Sequence, residues 1–261
     1  MDLLIQLFRD GVFLTFDQHN PNAPHWQTVL VASLCVIFSI VIPYLIGSIN
    51  FAIVLSRLRG EDIRDHGSKN AGTTNMLRTY GKKAAIITLV GDFLKGTVAV
   101  LVGMLLFGMF GQYLAALFAV LGHVFPIYYK FKGGKGIATA AGTILACEPL
   151  VLLVLLIIFA VIVGFTRYVS LASITVSLLY PLLIDRYYMI FPPYEGYTSG
   201  IHILFVFILS AVVFFKHYPN MKRLLNKTES KISFKKNPEQ SDDKEFGTVK
   251  TNEKKSLHND D

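Results

Sequence analysis

Long apolar runs alternate with short polar links along most of this chain, a pattern that predicts helices crossing a membrane. In order along the chain, the runs cover residues 28–58, 84–110, 113–131, 137–147, 150–165, 169–184 and 202–215. A helix needs about 20 apolar residues to cross the hydrocarbon core of a bilayer. We therefore predict an all-α integral membrane protein with a bundle of about seven transmembrane helices. The run 137–147 is the shortest, and a re-entrant position for it would give fewer spans.

The basic residues are distributed unevenly among the links, which predicts the orientation of the chain. Seven Lys and Arg residues lie in the link after the first run or in its last two residues, and three lie in the link after the third run or in its last two residues, whereas the links after the second and fourth runs contain none. Lys and Arg concentrate in links that lie in the cytosol. The alternation predicts an N-terminus outside and a C-terminus in the cytosol. It also favours the run 137–147 as a true span, because its removal would break the alternation.

Composition supports a membrane protein and adds an excess of positive charge. Of the 261 residues, 52% are hydrophobic and only 16% are charged, whereas soluble domains contain about 25% charged residues. This excludes a typical soluble enzyme and a disordered chain. The 25 Lys and Arg against 18 Asp and Glu give a net charge of +7. Cys35 and Cys147 lie in apolar runs and predict buried thiols, with no disulfide framework or metal site.

The two ends of the chain depart from the alternating pattern. Residues 1–27 lack the long apolar core of a cleavable signal peptide, and we predict an external N-terminal segment there. Residues 28–231 form the predicted membrane domain. Residues 232–261 are rich in charged and polar side chains, which predicts a disordered cytosolic tail.

The first basic link, residues 62–83, contains more glycine, hydroxyl and amide groups than topology alone requires. Glycine permits close approach of the backbone to a ligand, and the planar fork of arginine suits phosphate. The link therefore predicts an anion-binding loop, although a basic loop that only fixes topology remains the alternative. Its candidate ligands are Ser68, Asn70, Thr74, Asn75 and Arg78.

The second basic link, residues 129–136, places Lys135 among Gly133, Gly134 and Gly136, directly before an apolar run. Free backbone N–H groups at the start of a helix, with a lysine beside them, are typical of a phosphate cradle. The alternative is a flexible turn between two spans. The Walker A pattern is absent, which disfavours a nucleotide hydrolase.

Two further polar groups are candidates for chemistry or structure. In the third basic link, residues 216–231, His217 and Asn220 are three residues apart. A histidine at the bilayer surface can bond a hydroxyl or transfer a proton, although a lone histidine is more often structural. Asp92 and Lys95 lie three apart inside the second run. Charges at that depth are expected to pair and to face the bundle interior.

In their order and spacing, these segments resemble the PlsY-type glycerol-3-phosphate acyltransferase family. The resemblance covers residues from about 47 to 231. It depends on Gly47-Ser-Ile49, the first basic link, Asp92-Phe-Leu-Lys-Gly96, Gly122-His-Val-Phe-Pro126, Lys132-Gly-Gly-Lys-Gly136, Arg167-Tyr-Val-Ser170 with Ser173, and His217, Asn220 and Glu229. The chain departs from the usual family pattern at Asn50, Lys69 and Thr73, where the family has Pro, Gly and Ala.

The resemblance implies an enzyme that transfers a fatty acyl group from acyl phosphate to glycerol 3-phosphate. The products would be lysophosphatidic acid (1-acylglycerol 3-phosphate) and phosphate, in an early step of phospholipid biosynthesis. It also implies a seven-helix fold in the cell membrane with its active site at the cytosolic face. No cofactor, metal or nucleic acid is implied. A membrane transporter of an anionic or phosphorylated solute is the alternative.

The resemblance also assigns roles to individual residues. It implies catalytic roles for Ser68, Arg78, His217 and Asn220, a phosphate-binding role for Gly133 to Gly136, and a structural role for Glu229. We expect glycerol 3-phosphate to be held by Ser68, Arg78, Lys135, His217 and Asn220. We expect Asn70 to bind substrate as well, and the donor phosphate to be held by Thr74, Asn75, Gly133, Gly134 and Ser170 or Ser173. Asp92 and Lys95 are expected to be structural.

Overall fold

The computed structural model describes residues 2–192 and 200–232, and the predicted tail beyond residue 232 lies outside this range. The described residues form nine α-helices: α1 Asp2–His19, α2 His25–Ser48, α3 Phe51–Arg57, α4 Thr73–Val124, α5 Ile137–Cys147, α6 Pro149–Thr166, α7 Val169–Ile190, α8 Gly200–Lys216 and α9 Tyr218–Leu225. No strand occurs in this part of the chain. The prediction of an all-α protein is therefore confirmed.

The described helices include four stretches long and apolar enough to cross a membrane. They are His25–Arg57, Thr73–Tyr129, Pro149–Thr166 and Val169–Ile190. Helices α8 and α9 are bent by 51° at Lys216–Tyr218, and together they give a fifth candidate. Helix α5, with 11 residues, is shorter than a full span. The number of seven spans and the orientation of the chain stay predictions.

Helix α4 has 52 residues but is interrupted at Gly81 and at Phe107–Gly108, where the backbone is not helical. After Gly108 the chain folds back on itself. Gly103 and Gly111 come so close that a Cβ added to either one would overlap the backbone carbonyl of the other. Segments 82–106 and 109–124 thus form a helical hairpin. The apolar pattern separated these two segments at residues 111–112, whereas the reversal occurs at Gly108, whose φ of +54° favours glycine.

The predicted external segment contains helix α1, which the apolar pattern did not predict. Helix α1 packs against the turn of the α4 hairpin. The Phe13 and Phe107 rings stack with centroids 4.8 Å apart, and the backbone of Gly11 lies against Gly108. The N-terminal residues are therefore part of the folded body.

The pairing predicted for Asp92 and Lys95 is confirmed, and it forms the centre of a buried polar group. The Lys95 Nζ lies 2.8 Å from the Asp92 Oδ1, with exposed side-chain fractions of 4% and 1%. Lys95 also donates to the Ile49 carbonyl at 2.6 Å and contacts the His123 Nδ1 at 2.8 Å. This group joins the break between α2 and α3 to both arms of the α4 hairpin.

A second buried polar group lies at Glu148, between α5 and α6. Glu148 has no exposed surface. Its carboxylate accepts hydrogen bonds from the hydroxyls of Tyr113, Tyr180 and Tyr188. At about 1.5 Å per residue, the length of α5 separates this Glu148 cluster by about 16 Å from the second basic link.

Candidate active site

The first basic link is held in shape by the side chain of Asn75. Asn75 is buried, and its Nδ2 donates to the carbonyls of Ile63 and His66 at 3.2 and 2.9 Å. Its Oδ1 accepts the Ser68 N–H at 2.9 Å. Both amide protons are thus used within the protein. Asn75 fixes the position of Ser68, which is exposed, while Asn70 and Thr74 are half-buried.

The second basic link is fastened to the end of α4. The Gly133 N–H donates to the Val124 carbonyl at 3.3 Å, and the Gly134 N–H to the His123 carbonyl at 3.2 Å. We expected these two N–H groups to be free for phosphate, but the structure directs them to α4. The first N–H groups of a helix have no acceptor within the helix, so the available donors lie at the start of α5, directly after Gly136.

Gly134 and Gly136 are needed for different reasons. A Cβ on Gly134 would overlap the His123 imidazole and the Ala71 carbonyl, so this glycine lets the second basic link pack against both α4 and the first basic link. Gly136 has a φ of +88°, a conformation that other residues rarely adopt. It turns the chain into α5.

Three basic side chains act on the carboxylate of Glu229, one by direct contact and two by electrostatic interaction. The Glu229 Oε2 accepts from the Arg223 Nε at 2.7 Å. Arg78 donates through Nη2 to the Ser230 carbonyl at 3.2 Å, and both Arg78 and Lys135 interact electrostatically with Glu229. Three positive charges against one negative charge leave a surplus that suits a phosphate dianion. We call Arg78, Lys135, Arg223 and Glu229 the ionic cluster.

His217 and Asn220 add hydrogen-bond acceptors beside the ionic cluster. Both are buried. The His217 Nδ1 lies 2.8 Å from the Val213 carbonyl; because a carbonyl only accepts, Nδ1 carries the proton and Nε2 is the acceptor in the neutral ring. The Asn220 Nδ2 donates to the Glu229 Oε1 at 2.8 Å. Its Oδ1 is buried without a hydrogen-bond partner in the described residues, as expected of a group that awaits a donor.

The two candidate serines of α7 differ in their surroundings. Burial raises the pKa of the Glu229 carboxylate, but the hydrogen bonds from Asn220 and Arg223 outweigh this effect and lower the pKa. Ser170 lies near this carboxylate, and its Oγ is buried without a hydrogen-bond partner in the described residues. Ser173 donates to the Val169 carbonyl of its own helix at 2.8 Å. Of the two serines, Ser170 therefore adjoins the ionic cluster.

Sequence reasoning missed two residues of this region. Arg223 lies three residues after Asn220 in α9, and this spacing puts both side chains on one helix face. The sequence alone shows this spacing and could have identified Arg223 as a candidate. The His123 ring packs against Gly134 on one side and contacts the Lys95 ammonium group on the other. A histidine inside an apolar run is a signal of a functional or structural partner.

Comparison with known proteins identifies the family. The sequence profile of the family described as glycerol-3-phosphate acyltransferase matches residues 37–227. The chain belongs to this family. The glycerol-3-phosphate acyltransferase of Bacillus subtilis (strain 168) is 40% identical over 197 residues, covering 75% of this chain and 96% of the relative. That of Thermoanaerobacter pseudethanolicus is 43% identical over 200 residues, covering 76% and 96%.

Solved structures of the glycerol-3-phosphate acyltransferase family share the fold. PlsY (YgiH), an integral membrane glycerol 3-phosphate acyltransferase, is similar in its glycerol 3-phosphate form with a TM-score of 0.69 and 35% identity, over 76% of this chain and 96% of that chain. Its lysophosphatidic acid form gives a TM-score of 0.67 and 34% identity, over 76% and 95%. The chain thus shares its fold with an integral membrane acyltransferase and contains helices long and apolar enough to cross a membrane. Helix α1 lies outside the residues that the family profile matches.

Proposed function

We propose that the protein transfers a fatty acyl group from acyl phosphate to glycerol 3-phosphate, giving lysophosphatidic acid and inorganic phosphate. The observation that carries this proposal is the ionic cluster, with its surplus of positive charge. Beside it lies the buried Asn220 Oδ1, which has no hydrogen-bond partner in the described part of the chain. Such a site offers cations to a phosphate and acceptors to hydroxyl groups. Glycerol 3-phosphate presents both. The glycerol 3-phosphate and lysophosphatidic acid forms of PlsY support the same substrate and product.

In the proposed reaction, a hydroxyl oxygen of glycerol 3-phosphate attacks the carbonyl carbon of acyl phosphate. The new ester bond forms, the bond between the acyl carbon and the phosphate oxygen breaks, and the leaving phosphate takes the hydroxyl proton. Acyl phosphate is a mixed anhydride and is already activated, so no protein nucleophile is required. The protein supplies position and charge stabilisation.

The residues divide between the two substrates. We assign the phosphate of glycerol 3-phosphate to Arg78 and Lys135, with Ser68 and Asn70 nearby on the first basic link. His217 Nε2 and Asn220 Oδ1 would accept from the glycerol hydroxyls. The donor phosphate would be held by Thr74 and by the N–H groups at the start of α5. Asn75, Gly133 and Gly134 would act by positioning these groups, and Glu229 by holding Arg223 and Asn220.

We also propose seven spans, with the N-terminus outside and the site at the cytosolic face of the cell membrane. A straight helix over Thr73–Tyr129, 57 residues, would extend about 85 Å, far beyond the roughly 30 Å of a hydrocarbon core. The reversal at Gly108 supports two crossings instead. The ionic cluster and the basic links lie together at one end of the helices, and the positive-inside rule puts such an end in the cytosol.

The donor experiment tests the proposed function directly. Purified protein in detergent would receive labelled glycerol 3-phosphate with acyl phosphate, acyl-CoA or acyl carrier protein as the donor. We expect labelled lysophosphatidic acid with acyl phosphate alone, and its loss in the Arg78→Ala variant. The Lys82→Gln variant, which removes an exposed charge elsewhere, serves as the control. Product formation with acyl-CoA but not with acyl phosphate would refute the proposal.

The activity should depend on pH through Lys135. Burial lowers the pKa of its ammonium group to about 8; Glu229 opposes this effect, whereas Arg223 and Arg78 add to it. Because the group is charged below its pKa, kcat/KM for glycerol 3-phosphate should fall above about pH 8, by up to about tenfold per unit. In Lys135→Arg, whose side chain keeps its charge, the fall should disappear. The same alkaline fall in both proteins would exclude Lys135 as its source.

A further inference from the structure

A cleft separates the first and second basic links, outside the ionic cluster. Its volume is about 450 Å³, and it is lined by Asp62, Arg64, Asp65, Lys69, Lys130, Lys132 and Gly133. None of the charged side chains in this lining has a role in the proposed reaction. At Gly133 the cleft adjoins the loop that carries Lys135. Gly133 lies two residues before Lys135 of the proposed phosphate site.

Arg64 braces the wall of this cleft across both links. Its Nε and Nη2 donate to the two carboxylate oxygens of Asp62 at 2.9 and 2.6 Å. Its Nη1 donates to the carbonyls of Tyr129 and Lys132, both at 3.1 Å. The bidentate pair neutralises Asp62 and holds the two links at a fixed distance.

The charge that remains in the cleft is positive. With Arg64 and Asp62 paired, three lysines face the single carboxylate of Asp65. Among the described residues, neither Lys69, Lys130 nor Lys132 forms an ion pair with a carboxylate. A surplus of two positive charges in a concave surface attracts a small dianion and raises its local concentration.

The backbone at Lys69 supports a role for its side chain. Lys69 has a φ of +58°, in the left-handed region that glycine occupies without cost and that a residue with a Cβ adopts unfavourably. A glycine would fit this turn better than a lysine. The backbone conformation therefore does not explain a lysine at position 69. Its long cationic side chain lines the cleft.

We propose that this cleft is a docking site for phosphate monoesters, which receives glycerol 3-phosphate before it passes Gly133 to reach Arg78 and Lys135. This inference rests on the proposed function. The lysines act by attraction at the mouth of the site and take no part in the acyl transfer. They therefore increase the rate of substrate capture and leave the chemical step unchanged.

Kinetics of a charge-removal series test the docking role. In Lys69→Gly combined with Lys130→Gln, kcat/KM for glycerol 3-phosphate should fall about fivefold to twentyfold at low ionic strength, with kcat unchanged. The difference should shrink at high salt, because salt screens exposed charges. Lys69→Gly alone relieves the backbone, so a loss of kcat/KM there cannot come from a weaker fold. An unchanged kcat/KM, or an equal loss in Lys82→Gln, would overturn the proposal.

A binding measurement separates this inference from the proposed function and identifies the ligand. An amine-acetylating reagent would be applied to the full-length protein, and mass spectrometry would follow each lysine. We expect glycerol 3-phosphate to slow the modification of Lys69, Lys130 and Lys132, but not of Lys82. Protection by inorganic phosphate alone would indicate a site for the leaving product and overturn the docking role, as would no protection at all. Protection without acyl transfer would support the cleft and refute the proposed function instead.

Discussion

Replacement of Lys95 by Met should destabilise the protein by about 3–5 kcal/mol, the loss expected when one partner of a buried ion pair is removed. Asp92 would keep a charge with 1% exposure and no ammonium to balance it. The Ile49 carbonyl and the His123 ring would each lose a hydrogen bond. The damage should reach the second basic link, because the His123 carbonyl holds the Gly134 N–H.

Thermal unfolding in detergent would measure this loss, with a thiol-reactive dye reporting the exposure of Cys35, which is buried. Lys82→Met, at an exposed position, is the matched control and should unfold near the wild-type temperature. The double variant Asp92→Leu with Lys95→Met removes both charges and should recover part of the stability. A wild-type unfolding temperature in Lys95→Met alone would contradict the role given to this pair.

Replacement of Gly134 by Ala should lower kcat/KM for glycerol 3-phosphate about 100-fold, the effect of a displacement of about 1 Å at a catalytic site. The added Cβ would overlap the His123 imidazole and the Ala71 carbonyl. The Ala71 carbonyl belongs to the backbone, and the His123 ring is held by its contact with Lys95. Because neither can move aside easily, the second basic link must shift. Lys135 and the start of α5 would shift with it.

Steady-state kinetics beside an unfolding curve would separate this repositioning from a loss of fold. Gly164→Ala is the matched control, because among the described residues a Cβ at Gly164 meets no atom within 4 Å beyond its own helix backbone; its kinetics should equal those of the wild type. Adding His123→Ala to Gly134→Ala removes one of the two obstacles and should restore part of the activity. Wild-type kcat and KM in Gly134→Ala would show that the link tolerates the side chain.

The apolar runs predicted most helices of the membrane domain, since a long apolar stretch has few other stable conformations in a bilayer. The residues Gly47-Ser-Ile-Asn50 interrupt the first apolar run, and α2 ends there at Ser48, while Asn50 caps α3 by accepting the Ile53 N–H. The runs did not predict the reversal at Gly108, which lies within an apolar sequence and depends on tertiary contacts. Helix α1 has too few consecutive apolar residues to resemble a span, and it packs on a turn that the sequence does not reveal.

The site was predicted in part for a similar reason. Residue type and order were enough to select Arg78, Lys135, His217 and Asn220 as candidates, and the structure brings these close to Glu229. Hydrogen-bond direction was not predictable. The N–H groups of Gly133 and Gly134 point to α4 carbonyls, and both protons of the Asn75 amide bond the backbone. Such partners are distant in sequence, so spacing alone does not identify them.

The Glu148 cluster affects whether an anion could pass through the helix bundle. Any anion that left the phosphate site towards the opposite face would meet a fully buried carboxylate whose oxygens already bond three phenol groups. The three hydroxyls already donate to Glu148, so they offer such an anion no free donor. A passage for a small anion along α5 through the Glu148 cluster is therefore disfavoured.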